Sequence, residues 1–181
     1  MKKLILCFLV SASLIACTNQ ETKTETADAN IALFKENSKV VQNGFDSFIK
    51  NDFDAWSESF SDTAKYNSPV LGDTSSTQSS IRKNLEGFHA ITKEFKIAKV
   101  VYLPTVDTLT FKPDGGVRSL VEWNMVLLNG DKVDMKYYAY FKFNSDHKIV
   151  SANEFFDAGS YIKLATEAGK PEPAGWLEAP S

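Results

Sequence analysis

The heptapeptide SANEFFD, residues 151–157, sets Glu154 one position before two phenylalanines in a run that otherwise reads as a strand entering a core. If Ala152, Glu154 and Phe156 face inward, the carboxylate enters an apolar pocket. Burial would then raise its pKa toward that of a working general base. If Ser151, Asn153, Phe155 and Asp157 face inward instead, Glu154 is a solvated surface charge. Alternation leaves both readings open, because each face has polar members. Tyr66 and Asn124 are the other candidates for chemistry. Tyr66, like Tyr137, could offer a phenol hydroxyl to a ligand, or be a core tyrosine with its hydroxyl satisfied. Asn124 and Glu122 share a parity with Leu120 and Val126, opposite the more apolar Trp123, Met125 and Leu127. They could face a cavity, water or a partner.

Around these groups the chain is rich in rings, with thirteen Phe, six Tyr and three Trp. Such a load suits a sheet-rich core or a cavity walled with aromatics. Trp56, Phe60, Phe88, Tyr137, Phe141 and Phe156 are the candidate ligand-binding wall. His89 follows Phe88 on a helix, and His147 sits in the NSDHK turn. With so few histidines, neither a transition-metal site nor a cofactor is expected. No phosphate-binding glycine loop and no nucleophilic Ser–His–Asp signature is present. A formal charge of −3 lacks the basic excess of a nucleic-acid binder.

Helical spacing positions the first group of elements. Ile31, Phe34, Val41, Phe45 and Phe48 lie on one stripe over 31–50, with Gly44 a weak point. Asp52 or Asp54 can cap a short second helix carrying Ala55, Trp56 and Phe60. Ala64 and Tyr66 fall in a brief strand before Pro69 and Gly72. A third helix spans about 78–93, with Ile81, Leu85, Phe88 and Ile91 in phase. The rest reads as antiparallel sheet: FKIAKVVYLP and VDTLTFKP as strands ended by Pro104 and Pro113, a turn at Asp114-Gly115-Gly116, then VRSLVEWNMVLL. Asn129-Gly130 signals a hairpin into KVDMKYYAYFKF, and KIVSANEFFD closes the meander. Helices followed by strands predict an α+β fold. Tyr138 and Tyr140 share the parity of Lys136 and Lys142, so they either meet a second protein surface, favouring a homodimer through the outer sheet face, or rest under lysine stems.

The two ends have a different character. Residues 1–16 have Lys2 and Lys3, then an apolar run, then small residues leading to Cys17, the layout of a secretory signal. The ending Leu14-Ile15-Ala16-Cys17 resembles the bacterial lipobox. That resemblance implies lipid on Cys17 and a membrane-anchored protein of the cell envelope, on the periplasmic or outer-membrane side. Residues 17–30 then read as a flexible tether, 31–165 as the domain, and 166–181 as a Pro-rich tail that Trp176 could pin.

Two segments carry a family resemblance: FIKNDFDAWSESFSDTAKYNSP (48–69) and FKFNSDHKIVSANEFFDAGSYIKLA (141–165). With the element order, they make the chain similar to the SnoaL-like branch of the nuclear transport factor 2-like superfamily. The resemblance implies a cone: a curved antiparallel sheet on three N-terminal helices, with an apolar pocket between them. It does not imply one activity, since the fold hosts enzymes and binders alike. Ketosteroid isomerase's functional positions fall on Gly44, Ser68 and Ala139, which cannot move its proton. Those of limonene-epoxide hydrolase fall on Glu154 and Tyr66, but also on Glu122, Asn124 and Ser68, without the arginine that partners its acids. The expected function is therefore binding of a small apolar or amphipathic molecule in the cavity. The alternatives are a cofactor-independent hydrolase, isomerase or dehydratase using Glu154, and a structural envelope protein acting through its outer sheet face.

Overall fold

The computed structural model describes residues 18–70, 74–75 and 77–167. Residues 1–17, with the segment read as a signal and Cys17, and residues 168–181 of the Pro-rich end with Trp176 lie outside the described residues. The elements run α1 (Thr18–Ile49), α2 (Phe53–Glu58), β1 (Phe60–Asn67), β2 (Thr74–Ser75), α3 (Gln78–Ala90), β3 (Thr92–Val106), β4 (Pro113–Leu127), β5 (Lys132–Phe143), β6 (Ile149–Phe155) and α4 (Ala158–Glu167). One six-stranded sheet has the order β2-β1-β6-β5-β4-β3. All its neighbours are antiparallel except β1 and β6, which run parallel. This is the expected α+β architecture, with α1, α2 and α3 covering one face of the sheet. No helix among the described residues is long and apolar enough to cross a membrane.

Alternation on the strands builds the two faces. Along β4, Val117, Ser119, Val121, Trp123, Met125 and Leu127 are buried while Leu120, Glu122 and Asn124 are exposed. On β5, Tyr137, Ala139 and Phe141 point the same way, and on β6 Ala152 and Glu154 do. The helices meet this face through Val41, Phe45 and Phe48 of α1, Trp56 of α2, and Ile81, Leu85 and Phe88 of α3. Gly44 is no mere weak point. A Cβ there would lie 1.8 Å from the Trp56 ring, so the glycine lets the indole lie flush against α1.

Local signals placed most boundaries. Asp52 caps α2, accepting a hydrogen bond from the Ala55 N–H at 3.1 Å. Thr77 and Ser80 form a reciprocal capping box on α3. Gly130 takes φ +93° in the β4–β5 hairpin. Other boundaries differ from the sequence reading. Helix α1 begins at Thr18 rather than near Ile31, and Asn30, assigned to the tether, donates to the Pro113 carbonyl at 2.8 Å. Phe60 opens β1 instead of ending α2. VDTLTFKP is not a strand: β3 continues through Pro104 to Val106, and the chain reverses over 107–112. Pro104 is tolerated because β3 is an edge strand. The turn forms where Asp107 Oδ1 accepts from the Leu109 and Thr110 N–H groups. Asp114-Gly115-Gly116 lies inside β4 as an irregularity in register, with Gly115 at φ +83°. A Cβ on Gly116 would meet Thr105 Oγ1 at 2.1 Å.

Candidate functional site

Strand β6 enters the sheet between β5 and β1, so its inward side chains stand at the centre of the concave face. Glu154 is one of them and is only 7% exposed. It is the only carboxylate among the buried described residues. The register places Ala139 opposite Glu154, which leaves Tyr137 on the same face one step along β5. The Tyr137 hydroxyl donates to Glu154 Oε1 at 2.6 Å. On the other side, β1 pairs Tyr66 with Ala152 and buries the Tyr66 ring completely. Two phenols and one carboxylate thus share a single patch of the inner face.

An aromatic cavity covers this patch. Of the candidates named from the sequence, Trp56, Tyr66, Phe88, Tyr137, Glu154 and Phe156 line it. The space amounts to about 460 Å³ counted to its open mouth, of which about 50 Å³ admits the centre of a water molecule. It is a slot, not a wide bowl. Phe45 meets Trp123 and Tyr137 edge-on, each with centroids 5.9 Å apart, and Tyr137 stacks on Phe156 at 6.0 Å. These offset and edge-to-face contacts hold the rings in place without filling the slot.

The electrostatics follow from the burial. Desolvation and the neighbouring Glu154 push the Tyr137 phenol well above its ordinary range. Tyr137 therefore stays a neutral donor to Glu154 at physiological pH. Tyr161 is likewise raised by burial. Its hydroxyl donates to the Phe88 carbonyl at 2.8 Å and lies 2.5 Å from Thr92 Oγ1. It fastens α4 to the end of α3 and the start of β3, beside the cavity that its ring lines. The slot can thus hold a slender apolar body, present a carboxylate to a hydroxyl, amine or acidic C–H, and keep a phenol beside that carboxylate.

Three candidates fall elsewhere. Asn124 is exposed on the outer face and donates to Asp134 Oδ1 at 2.7 Å, so it does not reach the cavity. The more apolar parity of β4, carrying Trp123 and Met125, went inward instead, and Glu122 stands outside opposite Lys136. Phe60 and Phe141 are fully buried behind Trp56, with ring centroids 5.3 and 6.2 Å from its indole, and support the wall rather than form its surface. His89 lies among the rings of Phe48, Phe53 and Phe95, where burial lowers its pKa. His147, in the NSDHK turn, is half-buried, and its Nδ1 lies 2.7 Å from Asn37 Oδ1.

Lining residues that the sequence reading missed include Phe45, Phe95, Trp123 and Tyr161. Tyr161 had a signal: Asp157 caps the start of α4, accepting from the Ser160 N–H at 3.0 Å, and Tyr161 follows in the first turn. Phe45, Phe95 and Trp123 were legible as core but not as cavity, since spacing alone does not distinguish a packed face from a hollow one.

No protein-family model matches the sequence, and no curated protein does. Solved structures do. A protein from Xanthomonas campestris pv. campestris designated a polyketide cyclase shares 13% identity at a TM-score of 0.60, covering 74% of this chain and 98% of its own. A nuclear transport factor 2-like protein of unknown function from Burkholderia pseudomallei shares 16% at 0.58, covering 72% and 97%. The epoxide hydrolase/cyclase-like enzyme SalBIII, of pyran ring formation in the polyether salinomycin, shares 20% at 0.51, covering 69% and 93%. The fold is nuclear transport factor 2-like, as the sequence resemblance implied. Similarity at this level speaks to the fold alone.

Proposed function

We propose that this nuclear transport factor 2-like chain is a lipid-anchored envelope protein that holds a small, slender, apolar or amphipathic molecule in its aromatic slot, with Glu154 as the polar anchor. The observation that carries this is the 2.6 Å Tyr137–Glu154 hydrogen bond inside a cavity otherwise lined by rings, Leu85 and Met135. A carboxylate costs several kcal/mol to bury in apolar surroundings unless something compensates it. Tyr137 supplies one hydrogen bond, and the carboxylate is the charged group that the slot presents to a ligand hydroxyl or amine. Ligand pockets are commonly built this way, with an apolar wall and few polar groups.

A second reading is supported by the same pair. Glu154, beside a phenol that stays protonated, is equipped to take a proton from a bound molecule and return it elsewhere, as a cofactor-independent isomerase, dehydratase or hydrolase would. The neighbours designated a polyketide cyclase and an epoxide hydrolase/cyclase-like enzyme favour small organic substrates on this fold. Without an arginine beside Glu154, the binding reading is the stronger one.

Native mass spectrometry of the full chain, purified from its own envelope, tests both. A co-purifying small molecule that is present in the wild type and lost in Glu154→Leu supports binding at this site. A molecule retained equally in both would remove Glu154 from its recognition. Incubation of the released molecule with fresh protein, followed by chromatography, reports turnover if a new product appears in the wild type and not in Glu154→Gln.

For the outer sheet face, the reading is a second copy of the chain. Val101, Leu120, Tyr138 and Phe155 stand in one transverse row across β3, β4, β5 and β6. Arg118 and Glu122 flank Leu120 two residues to either side on the same face. A two-fold axis through Leu120 would bring Arg118 of each copy opposite Glu122 of the other, which suits a self-complementary contact.

A further inference from the structure

The β3–β4 hairpin turns on residues 107–112, and its tip carries the two most exposed large apolar side chains among the described residues. Leu109 is 87% exposed and Phe111 is 78% exposed. Neither covers anything within the fold. The tip is nonetheless well built. Asp107 Oδ1 accepts from the Leu109 N–H at 3.1 Å, the Thr110 N–H at 2.7 Å and the Thr110 hydroxyl at 2.8 Å. Backbone bonds from Phe111 N to Asp107 O and from Asp107 N to Lys112 O, each 2.8 Å, close the loop. Phe111 also takes φ +57°, a left-handed conformation that disfavours a bulky residue and suits glycine or asparagine. An aromatic ring at a position that penalises it, turned wholly outward, has no rationale inside the domain.

The position of the tip supplies one. Helix α1 crosses the sheet with Asn30 bonded to Pro113, Asn37 Nδ2 bonded to the Gly115 carbonyl at 2.8 Å, and Phe45 and Phe48 against Trp123. Its axis therefore runs from the hairpin end of β4 toward the far end. The turns upstream of Asn30 continue past Pro113 on the side of the tip. At roughly 1.5 Å per residue, the backbone from Asn30 back to Thr18 extends some 18 Å in that direction. The next residue is Cys17. Leu33, itself exposed, lies on α1 against Gly115 at the same end.

We propose that the hairpin tip seats the domain on the membrane, with Leu109 and Phe111 entering the interfacial layer of the bilayer to which Cys17 is anchored; this rests on the lipid-anchor reading given above. Two side chains on a convex tip suit a soft lipid layer. They do not suit a protein partner, where each side of a stable interface contributes roughly 800 Å². Lys112, beside Phe111, and Lys142, across the neighbouring groove, are exposed toward anionic headgroups. The nearby acids stay at the surface but are engaged within the hairpin: Asp107 accepts from its own turn, and Asp114 from Thr105 and Gly116. The tip would bind lipid weakly by itself. A tether at Cys17 raises its effective concentration at the surface, so weak insertion becomes the populated state. The slot would then be held in a fixed orientation to the bilayer, where apolar molecules concentrate.

The test uses the full mature chain with its native Cys17, reconstituted into vesicles of phosphatidylethanolamine and phosphatidylglycerol. Single cysteines replace Leu109, Phe111 or, as a control on the opposite hairpin, Asn129, and each carries an environment-sensitive fluorophore. The expected result is a blue-shifted emission at 109 and 111, quenched at least twofold by spin-labelled lipid, with neither change at 129. Equal, water-like emission at all three positions on anchored protein would overturn the proposal and leave the anchor intact. The chain without an engineered cysteine separates the two claims. Uptake of fluorophore at Cys17 would mean a free thiol there, and the anchor reading and the tip proposal would fall together. All three labelled sites are exposed, so the variants should fold, and a far-ultraviolet dichroism spectrum matching the wild type checks that they do.

Discussion

Tyr137 and Glu154 meet on adjacent strands with the phenol donating across 2.6 Å to Oε1, and the pair is enclosed by rings. One member is held neutral by its surroundings, while the other carries the only buried carboxylate among the described residues.

Removing either half of this pair should have unequal effects. Tyr137→Phe leaves a buried carboxylate short of a donor and should cost roughly 1–3 kcal/mol. Glu154→Gln keeps an oxygen that can accept from Tyr137 and should cost less. Urea unfolding of the two variants at neutral pH checks the order. The reverse order would mean that Tyr137 contributes to stability only through packing.

Alkaline pH should destabilise the fold through its buried phenols. Tyr137 and Tyr161 are both raised by burial, and half-buried Tyr102 is pushed up to about 12. The unfolded chain releases these protons near the ordinary pKa of about 10, and the folded chain does so later. Stability is therefore complete below about pH 10 and declines above it, by up to about 1.4 kcal/mol per pH unit for each tyrosine concerned. Tyr161→Phe should flatten that decline. Tyrosinate absorbance that rises at pH 10 while the fold is still intact, to the full count of tyrosines, would contradict this.

Gly44→Ala should unseat Trp56. The added carbon would fall 1.8 Å from the indole, and neither α1 nor the fully packed Phe60 and Phe141 behind the ring gives it room. Overpacking of this kind costs about 1–3 kcal/mol. Thermal unfolding should report the loss, and indole emission should shift because the ring must turn toward the slot.

Leu120→Glu should abolish self-association if the outer face is the contact between copies. It would put an acid at the centre of the row formed with Val101, Tyr138 and Phe155, directly on the two-fold axis. Sedimentation equilibrium of wild type and variant decides the matter. A wild-type monomer, or a variant that still dimerises, would move the contact elsewhere.

Much of the fold was legible because its signals are local. Asp52, the Thr77–Ser80 capping box and Asn129-Gly130 act within three or four residues of themselves, and alternation on β5 sorted Tyr137 from Tyr138 without any tertiary information. What misled was also local. Pro104 reads as a strand end unless the strand is known to lie at an edge, and Gly115-Gly116 reads as a turn unless Thr105 and the Phe141 carbonyl are known to press against the second glycine.

By itself the sequence determined the two faces of β5, the helix order and the presence of more aromatic rings than a small core needs, while the inward side of β4 and β6 stayed open. Tertiary structure decided which inward positions surround empty space. Glu154 lies on the slot and Asn124 outside it because β6 runs between β5 and β1 while the apolar side of β4 faces the helices. A carboxylate's neighbours across strands are set by register and by the helices above them, and neither is written in the residues beside it.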